Sequence, residues 1–412
     1  MKRKIVIIIV LGLLILLGWR FIRPMNIFVV DNKFAWPVDT TQTPSILQTM
    51  SAKECGACHE DFYQEWRTAM HSQAWTDPYF QTDWRFDGQQ HVCRLCHTPL
   101  DRQQPHKVLG YEDKSGWNPI LEDNPDFDPG LQHEGVTCAA CHYRDGKIVG
   151  VMGNTDAPHA VKKLTDANQV CLRCHVVKGE RWDTFYRFPP CGTVAEIEAS
   201  RGNKAPQAGK TSRGKSGEVK VNNLASLGCV ECHMPLTQRP LVKGGKPRQV
   251  RRHLWRGGHD PAMVKKALTI ELKEVTGRNS NQRVFFLTLV NTGAAHYVPT
   301  GTPDRHLTVR FRVLDSKGKV LEQQQHKLIR KVLWRPFIVD LWDTRLPRWK
   351  PRSYQFKVSN NAGAAIVEAI VRYHLLDEKR RKRIAYQNKE PISYEVYRKK
   401  ISLDEIPQGA GL

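Results

Sequence analysis

The chain has 412 residues, of which 11 are cysteine and 16 are histidine, and its formal net charge is +22 at pH 7. This positive excess favours an anionic lipid surface or an acidic partner protein. The first residues predict that the chain works outside the cytoplasm. Nucleic acid is therefore not expected as a partner.

The N-terminus predicts a membrane anchor. Residues 2–4 are basic, and the chain is then apolar from residue 5 to 17, with the apolar character reaching residue 22. This length lies between that of a signal peptide and that of a spanning helix. Because no small-residue cleavage site follows, we predict an uncleaved anchor over 1–24 and a linker over 25–50, with a removed signal peptide as the alternative. The basic start stays in the cytoplasm, so we predict a single-pass inner-membrane protein whose other residues face the periplasm.

Five copies of Cys-x-x-Cys-His account for ten of the eleven cysteines. Two thiols at this spacing can each bond a haem vinyl group, and the adjacent imidazole can then bind the iron as its proximal ligand. The predicted haem-attaching residues are Cys55, Cys58, Cys93, Cys96, Cys138, Cys141, Cys171, Cys174, Cys229 and Cys232. The predicted proximal ligands are His59, His97, His142, His175 and His233. Zinc ribbons and redox-active thiols are the alternatives, but a histidine after every pair favours five covalently attached c-type haems.

Residues 51–264 form the predicted pentahaem domain. This region is rich in Cys, His and Trp, with short helical patches and long loops but no sustained apolar period. Such a sequence cannot bury an ordinary core, so the porphyrins must supply most of the apolar interior and must lie within electron-tunnelling reach. The basic stretch 200–223 is predicted to be a flexible solvated loop, with an electrostatic docking arm as the alternative.

The second axial ligand decides what each iron can do, because a bis-histidine haem passes electrons whereas an open position can bind a small molecule. Four distal candidates come from this region, namely His71, His133, His159 and His253. The competitors are His91 and His106 for His133, His259 for His253, and the methionines Met70, Met152 and Met234.

Cys191 is the unpaired eleventh cysteine. A buried inert thiol is the commoner fate. An iron ligand, a covalent tether to a partner or a sulfur-handling nucleophile are the alternatives.

Residues 265–398 read as a β-domain, with a tail over 399–412. Residues 307, 309, 311 and 313 are apolar while 308, 310 and 312 are polar, which is the period of a half-buried strand. Residues 268–275, 284–290 and 366–373 show similar patterns. Short strands with turn signals predict an immunoglobulin-like β-sandwich, and the basic run 379–383 is predicted to be a strand edge or loop. The fold class is therefore α+β, with an anchor helix, a mainly helical, loop-rich multihaem domain and a C-terminal sandwich.

Several stretches resemble the multihaem cytochromes related to the nitrifiers' hydroxylamine oxidoreductase and its cytochrome electron acceptor. They are residues 54–59 with Trp66 and His71, and residues 93–100, 134–142, 229–235 and 251–260. The resemblance covers about residues 51–265. It implies a periplasmic domain with stacked, mostly bis-histidine haems and an appended β-domain.

In some members of that group, a loop of the β-domain reaches toward the haems, and residues 291–301 resemble it. The resemblance thus makes His296 a fifth distal candidate, with a structural His in a β-turn as the alternative. Related nitrite reductases leave one iron open at a Cys-x-x-Cys-Lys site, which does not occur here. This removes one argument for catalysis without excluding a five-coordinate haem.

We therefore predict a membrane-anchored pentahaem cytochrome c. It would relay electrons between the quinol pool or a quinol dehydrogenase and a periplasmic or outer-membrane partner, with possible membership of a larger complex. Two alternatives stay open, which are an oxidoreductase of a small nitrogen or sulfur compound at one open haem and a direct quinol dehydrogenase. Whether the protein is an enzyme is undecided, with electron transfer favoured.

Overall fold

The structure is a computed structural model that describes residues 2–22, 26–30, 32, 34–153, 156–175, 181–204, 228–275, 282–359 and 363–403. Most of the predicted basic loop 200–223 lies outside the described residues. Within the described part the chain is α+β, with an N-terminal apolar helix and several sheets.

Most of the helices are short. They are α1 (Lys2–Ile22), α2 (Ala52–Gly56), α3 (Glu60–Arg67), α4 (Pro78–Phe86), α5 (Arg94–His97), α6 (Pro129–His133), α7 (Cys138–His142), α8 (Leu172–His175), α9 (Thr193–Ser200), α10 (Cys229–His233), α11 (Pro261–Ala267) and α12 (Glu378–Arg383). Three 3₁₀ turns lie at His91–Cys93, Asp101–Gln103 and Ala167–Cys171. Helix α1 is long and apolar enough to cross a membrane by length and composition.

The strands before residue 252 have two to six residues, and most of those after it are longer. They are β1 (His106–Tyr111), β2 (Pro119–Asp123), β3 (Tyr143–Arg144), β4 (Lys147–Gly150), β5 (Val161–Lys163), β6 (Thr184–Phe185), β7 (Leu236–Pro240), β8 (Pro247–Arg251), β9 (Leu268–Glu274), β10 (Gln282–Asn291), β11 (His306–Leu314), β12 (Val320–Leu333), β13 (Ile338–Asp343), β14 (Arg352–Ser359), β15 (Ile366–His374) and β16 (Ser393–Ser402). Four of the longer strands lie where the apolar alternation predicts them, namely β9, β10, β11 and β15.

Two sheets enclose the main hydrophobic core. One has the order β14-β10-β9, and the other has the order β16-β15-β11-β12-β13-β6. Phe285, Leu287 and Leu289 from the first sheet and Val309 and Phe311 from the second are fully buried in the same cluster. The immunoglobulin-like topology stays a prediction, but a core between two sheets is observed.

Segments from the first half of the chain join the second half. Strand β6 pairs in parallel with β13, so the six-stranded sheet ends on a strand from the haem-motif region. The buried ion pair between Arg345 and Glu196, 2.5 Å long, joins the β-region to α9. The two regions are therefore integrated by backbone and side-chain contacts.

Three details differ from the expectations. The basic run 379–383 belongs to helix α12 because the Asp377 side chain accepts from the backbone N–H of Lys379 and caps it. Strand β16 continues through Ser402, past the expected start of the tail at 399. Within the predicted linker, Val38 and Met50 are buried in a cluster with Leu100, so this segment packs on the motif region.

Candidate haem-binding cavity

All fifteen residues of the five Cys-x-x-Cys-His motifs line one internal cavity of about 3690 Å³. Divided among five cofactors, this is about 740 Å³ each, which is within the range of roughly 300–1,000 Å³ usual for a cofactor pocket. The wall is largely apolar and aromatic, with Phe62, Trp66 and Phe80 among its residues. The cavity therefore fits several large apolar groups, as the composition of this region predicts.

Each motif forms or ends a very short helix. Helices α2, α5, α7, α8 and α10 contain one motif each, wholly or in part. One helical turn places both thiols and the following imidazole on the same side of the backbone. The motif cysteines form no disulfides with one another, so the arrangement is suited to thioether attachment.

Most of the motif histidines are oriented by backbone carbonyls. The Nδ1 atom of His59 donates to the Leu241 carbonyl (2.9 Å), and that of His142 donates to Val149 (2.8 Å). His97 and His233 make the same bond to Ala74 (2.5 Å) and Arg256 (2.7 Å). Such a bond fixes the tautomer and leaves Nε2 free for a metal.

Five histidines outside the motifs also line the cavity. They are His71, His159, His253, His259 and His296. The cavity thus brings together five motif histidines and five others, and the remaining six histidines of the chain do not line it. This set contains four of the five distal candidates.

Two of these histidines face a motif histidine directly. The ring centroids of His233 and His296 lie 6.4 Å apart at an interplanar angle of 16°, and those of His142 and His253 lie 5.9 Å apart at 27°. Two imidazoles that bind one iron from opposite sides, with bonds of about 2.0 Å, have ring centroids about 6.3 Å apart. Both pairs therefore match the spacing of an axial ligand pair.

Hydrogen bonds orient these two partners as well. The Nδ1 atom of His253 donates to the Arg251 carbonyl (2.9 Å), and that of His296 donates to Tyr297 (2.8 Å). Burial lowers the pKa of both imidazoles to about 4. They are neutral at neutral pH, which is the form that binds a metal.

Two further cavity histidines, His71 and His159, lie close enough to motif histidines for the charge of one to lower the pKa of the other. Burial, and then the positive charge of His175, lowers the pKa of His71 to about 4. Burial, and then the charge of His59, lowers the pKa of His159. The charges of His233 and His97 also lower the pKa of His71, so this side chain lies near the second, fourth and fifth motifs, with His175 as the largest charge effect. His159 lies near His59 of the first motif.

His259 is the remaining cavity histidine, and His97 is the remaining motif histidine. Burial lowers the pKa of His259 to about 4, and both imidazoles have Asp77 as a charged neighbour. Arg305 Nη2 lies 3.4 Å from Nε2 of His259, so this ring nitrogen is the unprotonated one. The sequence favours His253 over His259 in this stretch, whereas the structure brings both to the cavity.

The remaining candidates for distal ligands are three histidines that do not line the cavity and three methionines that do. His133 is exposed at the end of α6 and does not line the cavity. Its competitors His91 and His106 do not line it either, and His106 pairs with Asp123 at 3.2 Å. Met70, Met152 and Met234 do line the cavity.

Contacts between cysteines of different motifs show how the five motifs adjoin. The thiols of Cys55 and Cys138 are within hydrogen-bonding reach of each other, as are those of Cys96 and Cys174 and those of Cys171 and Cys229. Cys174 also influences the pKa of Cys141. The first motif therefore adjoins the third, and the fourth adjoins the second, third and fifth.

A buried carboxylate positions the strand that leads to His253. Glu65 on α3 accepts two bonds from Arg239 (both 2.8 Å), one from Arg252 (2.6 Å) and one from the His253 backbone N–H (2.8 Å). Burial by itself would raise the pKa of Glu65, but these hydrogen bonds lower it to about 2. Glu65 is absent from the sequence-based candidates because its three partners lie more than 170 residues away.

Cys191 borders the same cavity. Its backbone is in the left-handed region, with φ of 61°, which is uncommon for a residue other than glycine. Burial raises the pKa of its thiol, while Arg305 lowers it. The side chain is exposed and lies close enough to the second motif to raise the pKa of Cys93, so the thiol is open to the cavity and is not packed in an ordinary core.

One solved structure has a similar fold over most of the chain. The pentahaem cytochrome c552 from Thermochromatium tepidum is 18% identical, with a TM-score of 0.61, and the match covers 86% of this chain and 100% of that chain. A match to the ApaA protein from Bordetella pertussis covers 34% of this chain and 94% of that chain at 13% identity, but its TM-score of 0.18 carries no argument. No family model matches the chain, and no curated protein matches it. These findings show a shared fold with a multihaem cytochrome c.

Proposed function

We propose that this chain is a membrane-anchored pentahaem cytochrome c that relays electrons. The observation that carries the proposal is the single cavity lined by five Cys-x-x-Cys-His motifs and by five further histidines. The fold shared with a pentahaem cytochrome c552 supports it. The cavity has one further histidine for each motif histidine, so every iron could have two histidine ligands. Such irons pass electrons and have no open position for a substrate.

The ligand set follows from the observed neighbours. The proposed axial pairs are His59 with His159, His97 with His259, His142 with His253, His175 with His71, and His233 with His296. The pairs His142–His253 and His233–His296 rest on ring spacing, and His59–His159 and His175–His71 rest on electrostatic proximity. The pair His97–His259 rests on the shared neighbour Asp77 and on being the remaining pair.

The protein's contribution is to hold and insulate the cofactors. The ten cysteines would attach the haems covalently, and the carbonyls that accept from Nδ1 would fix the imidazole planes. When bound, the haem irons supply one-electron redox chemistry. Aromatic walls such as Phe62, Trp66 and Phe80 exclude water and keep the interior apolar.

The contacts between motifs support a continuous electron path. Each cysteine would bond directly to a porphyrin edge, so neighbouring thiols of two motifs place two porphyrin edges side by side. The contacts join the first motif to the third, the third to the fourth, and the fourth to both the second and the fifth. The first, second and fifth haems each adjoin one other haem in this scheme, so these three are the candidates for the ends of the path.

The location and the partners belong to the proposal. Helix α1 would anchor the chain in the inner membrane, with the cavity on the periplasmic side. The electron donor would be the quinol pool or a quinol dehydrogenase, and the acceptor would be a periplasmic or outer-membrane protein. The net charge of +22 favours acidic docking surfaces on these partners.

The test combines pyridine-haemochrome counting with low-temperature electron paramagnetic resonance of the oxidised protein. Five haems per chain, all low-spin, are expected. A high-spin signal that changes on addition of nitrite, hydroxylamine or sulfite would reveal an open iron and would replace the relay with an enzyme. A count below five would overturn the pentahaem assignment.

A further inference from the structure

The C-terminal end of α1 is fixed to the folded body. Arg20 pairs with Asp183 at 2.7 Å, and the two side chains are 7% and 1% exposed. Arg20 Nε also donates to the Pro336 carbonyl (2.8 Å), and Arg335 donates to the Phe21 carbonyl. A buried charge pair with additional hydrogen bonds holds a defined geometry, so the helix leaves the body at a fixed angle.

Exposed aromatic side chains surround this junction. Trp19, Phe21, Trp182 and Phe185 are each at least half exposed. The Arg20 guanidinium lies 5.8 Å from the Trp182 ring and 5.4 Å from that of Phe337, and Phe337 contacts Phe185 at 6.5 Å. We call the four exposed residues the aromatic collar.

The exposure of the collar does not depend on the haems. None of its four residues lines the cavity, so bound porphyrin would leave them exposed. An exposed aromatic cluster of this kind marks an interaction surface. Tryptophan and phenylalanine beside arginine at the end of an apolar helix match the headgroup region of a bilayer.

We propose that the aromatic collar rests in the headgroup layer of the bilayer that α1 crosses. The membrane is the occupant because the collar is continuous with the end of the proposed anchor. The inference rests on that anchoring, and it adds that the anchor and the collar together hold the cavity in one orientation.

In this orientation a short segment connects the second motif to the membrane end of α1. Cys93 packs in a cluster with Val92, Trp117, Ile27 and Phe28, and the Trp117 indole donates to the Phe28 carbonyl (2.6 Å). Phe28 follows the end of α1 by six residues, which span at most about 20 Å. The haem bound by Cys93 would then be the entry point for electrons from the membrane.

The experiment uses the full-length holoprotein in phospholipid nanodiscs. The lipids carry a photoactivatable diazirine on the acyl chain close to the headgroup, and mass spectrometry locates the lipid adducts. Adducts are expected on peptides containing 19–22 and on peptides containing 182–185. Val320 and Leu321, which are 40% and 45% exposed on β12, provide an internal control that should remain unlabelled.

A second arm separates a fixed anchor from a flexible one. Asp183→Asn weakens the pair with Arg20, and labelling at 182–185 should then fall while labelling within 2–22 stays the same. Arg3→Gln, a change at the exposed far end of α1, is the control and should leave both signals unchanged. Pyridine-haemochrome counting verifies that each variant carries its haems.

Two outcomes would overturn the inference. One is wild-type labelling that is confined to residues 2–22, which would leave the collar outside the bilayer. The other is a collar that the lipid probe does not label, although it is protected from a water-soluble carbene in native membranes. That result would show that a protein covers the collar and that the bilayer does not. Both outcomes are independent of the haem count and spin states that test the relay.

Discussion

Glu65→Gln is predicted to destabilise the protein and to loosen the segment that carries His253. Glu65 is 7% exposed and accepts four hydrogen bonds, from Arg239, Arg252 and the His253 backbone N–H. A neutral amide cannot match the charge of two arginines, and its NH₂ group cannot accept. The substitution therefore leaves the partly buried Arg239 guanidinium and the more exposed Arg252 poorly compensated.

The magnitude follows from the pKa of Glu65. A lowering from 4.5 to about 2 corresponds to about 3 kcal/mol of stability that depends on the ionised carboxyl group. Because the folded-state pKa is the lower one, this contribution is complete above about pH 4.5 and is lost as the pH falls toward 2. At neutral pH the variant should therefore be less stable by about 3 kcal/mol.

The assay is guanidinium unfolding followed by the haem Soret band, at pH 7 and at several values down to pH 3. The wild-type midpoint should fall with pH more steeply than that of Glu65→Gln, because the variant lacks the titrating group. Glu60→Gln, an exposed change on the same helix, should behave like the wild type. Equal midpoints at pH 7 together with equal acid sensitivity of Glu65→Gln and the wild type would refute the reasoning.

Three further predictions concern the cavity and the ion pair that joins α9 to the β-region. Arg345→Met should lower the free energy of unfolding by about 3–5 kcal/mol, since it leaves the buried Glu196 carboxyl group unpaired; an unchanged denaturation midpoint would contradict this. His259→Ala should convert one haem of five from low-spin to high-spin in electron paramagnetic resonance, whereas His133→Ala should leave all five signals unchanged. A high-spin signal in His133→Ala but not in His259→Ala would exclude the proposed pair His97–His259. Cys191→Ala should leave the haem count and the visible spectrum unchanged, and a shifted haem band would instead assign the thiol to an iron.

Local patterns made much of the fold predictable. Strand β11 lies at His306–Leu314 because alternating apolar side chains need one buried face, and the same pattern locates β9, β10 and β15. The prediction of a strand edge or loop for the basic run in α12 is wrong, since charge alone does not distinguish a solvated strand from a solvated helix. Its cap, Asp377, was the missing signal. Strand β6 could not be anticipated either, because two residues have no detectable period.

The candidate site also has a part that the sequence predicts and a part that it does not. The motif cysteines and histidines are adjacent in sequence, so their spacing predicts their chemistry without knowledge of the fold. The proposed partner histidines are remote: His159 is 100 residues from His59, and His296 is 63 residues from His233. Only tertiary structure brings such residues together, so the sequence alone cannot show that His259 lines the cavity and that His133 does not. His296 came from the resemblance of its loop to that of a known family.

The cavity has a consequence for how the cell makes this protein. A space of about 3690 Å³ at the centre of the motif region would be a large void in a chain without haem, and voids of that size are not stable in proteins. The motif region should therefore remain unfolded until the cofactors are attached, whereas the two-sheet region has an apolar core of its own. Haem supply would then control abundance, because chains that receive too few cofactors would stay unfolded and open to proteolysis.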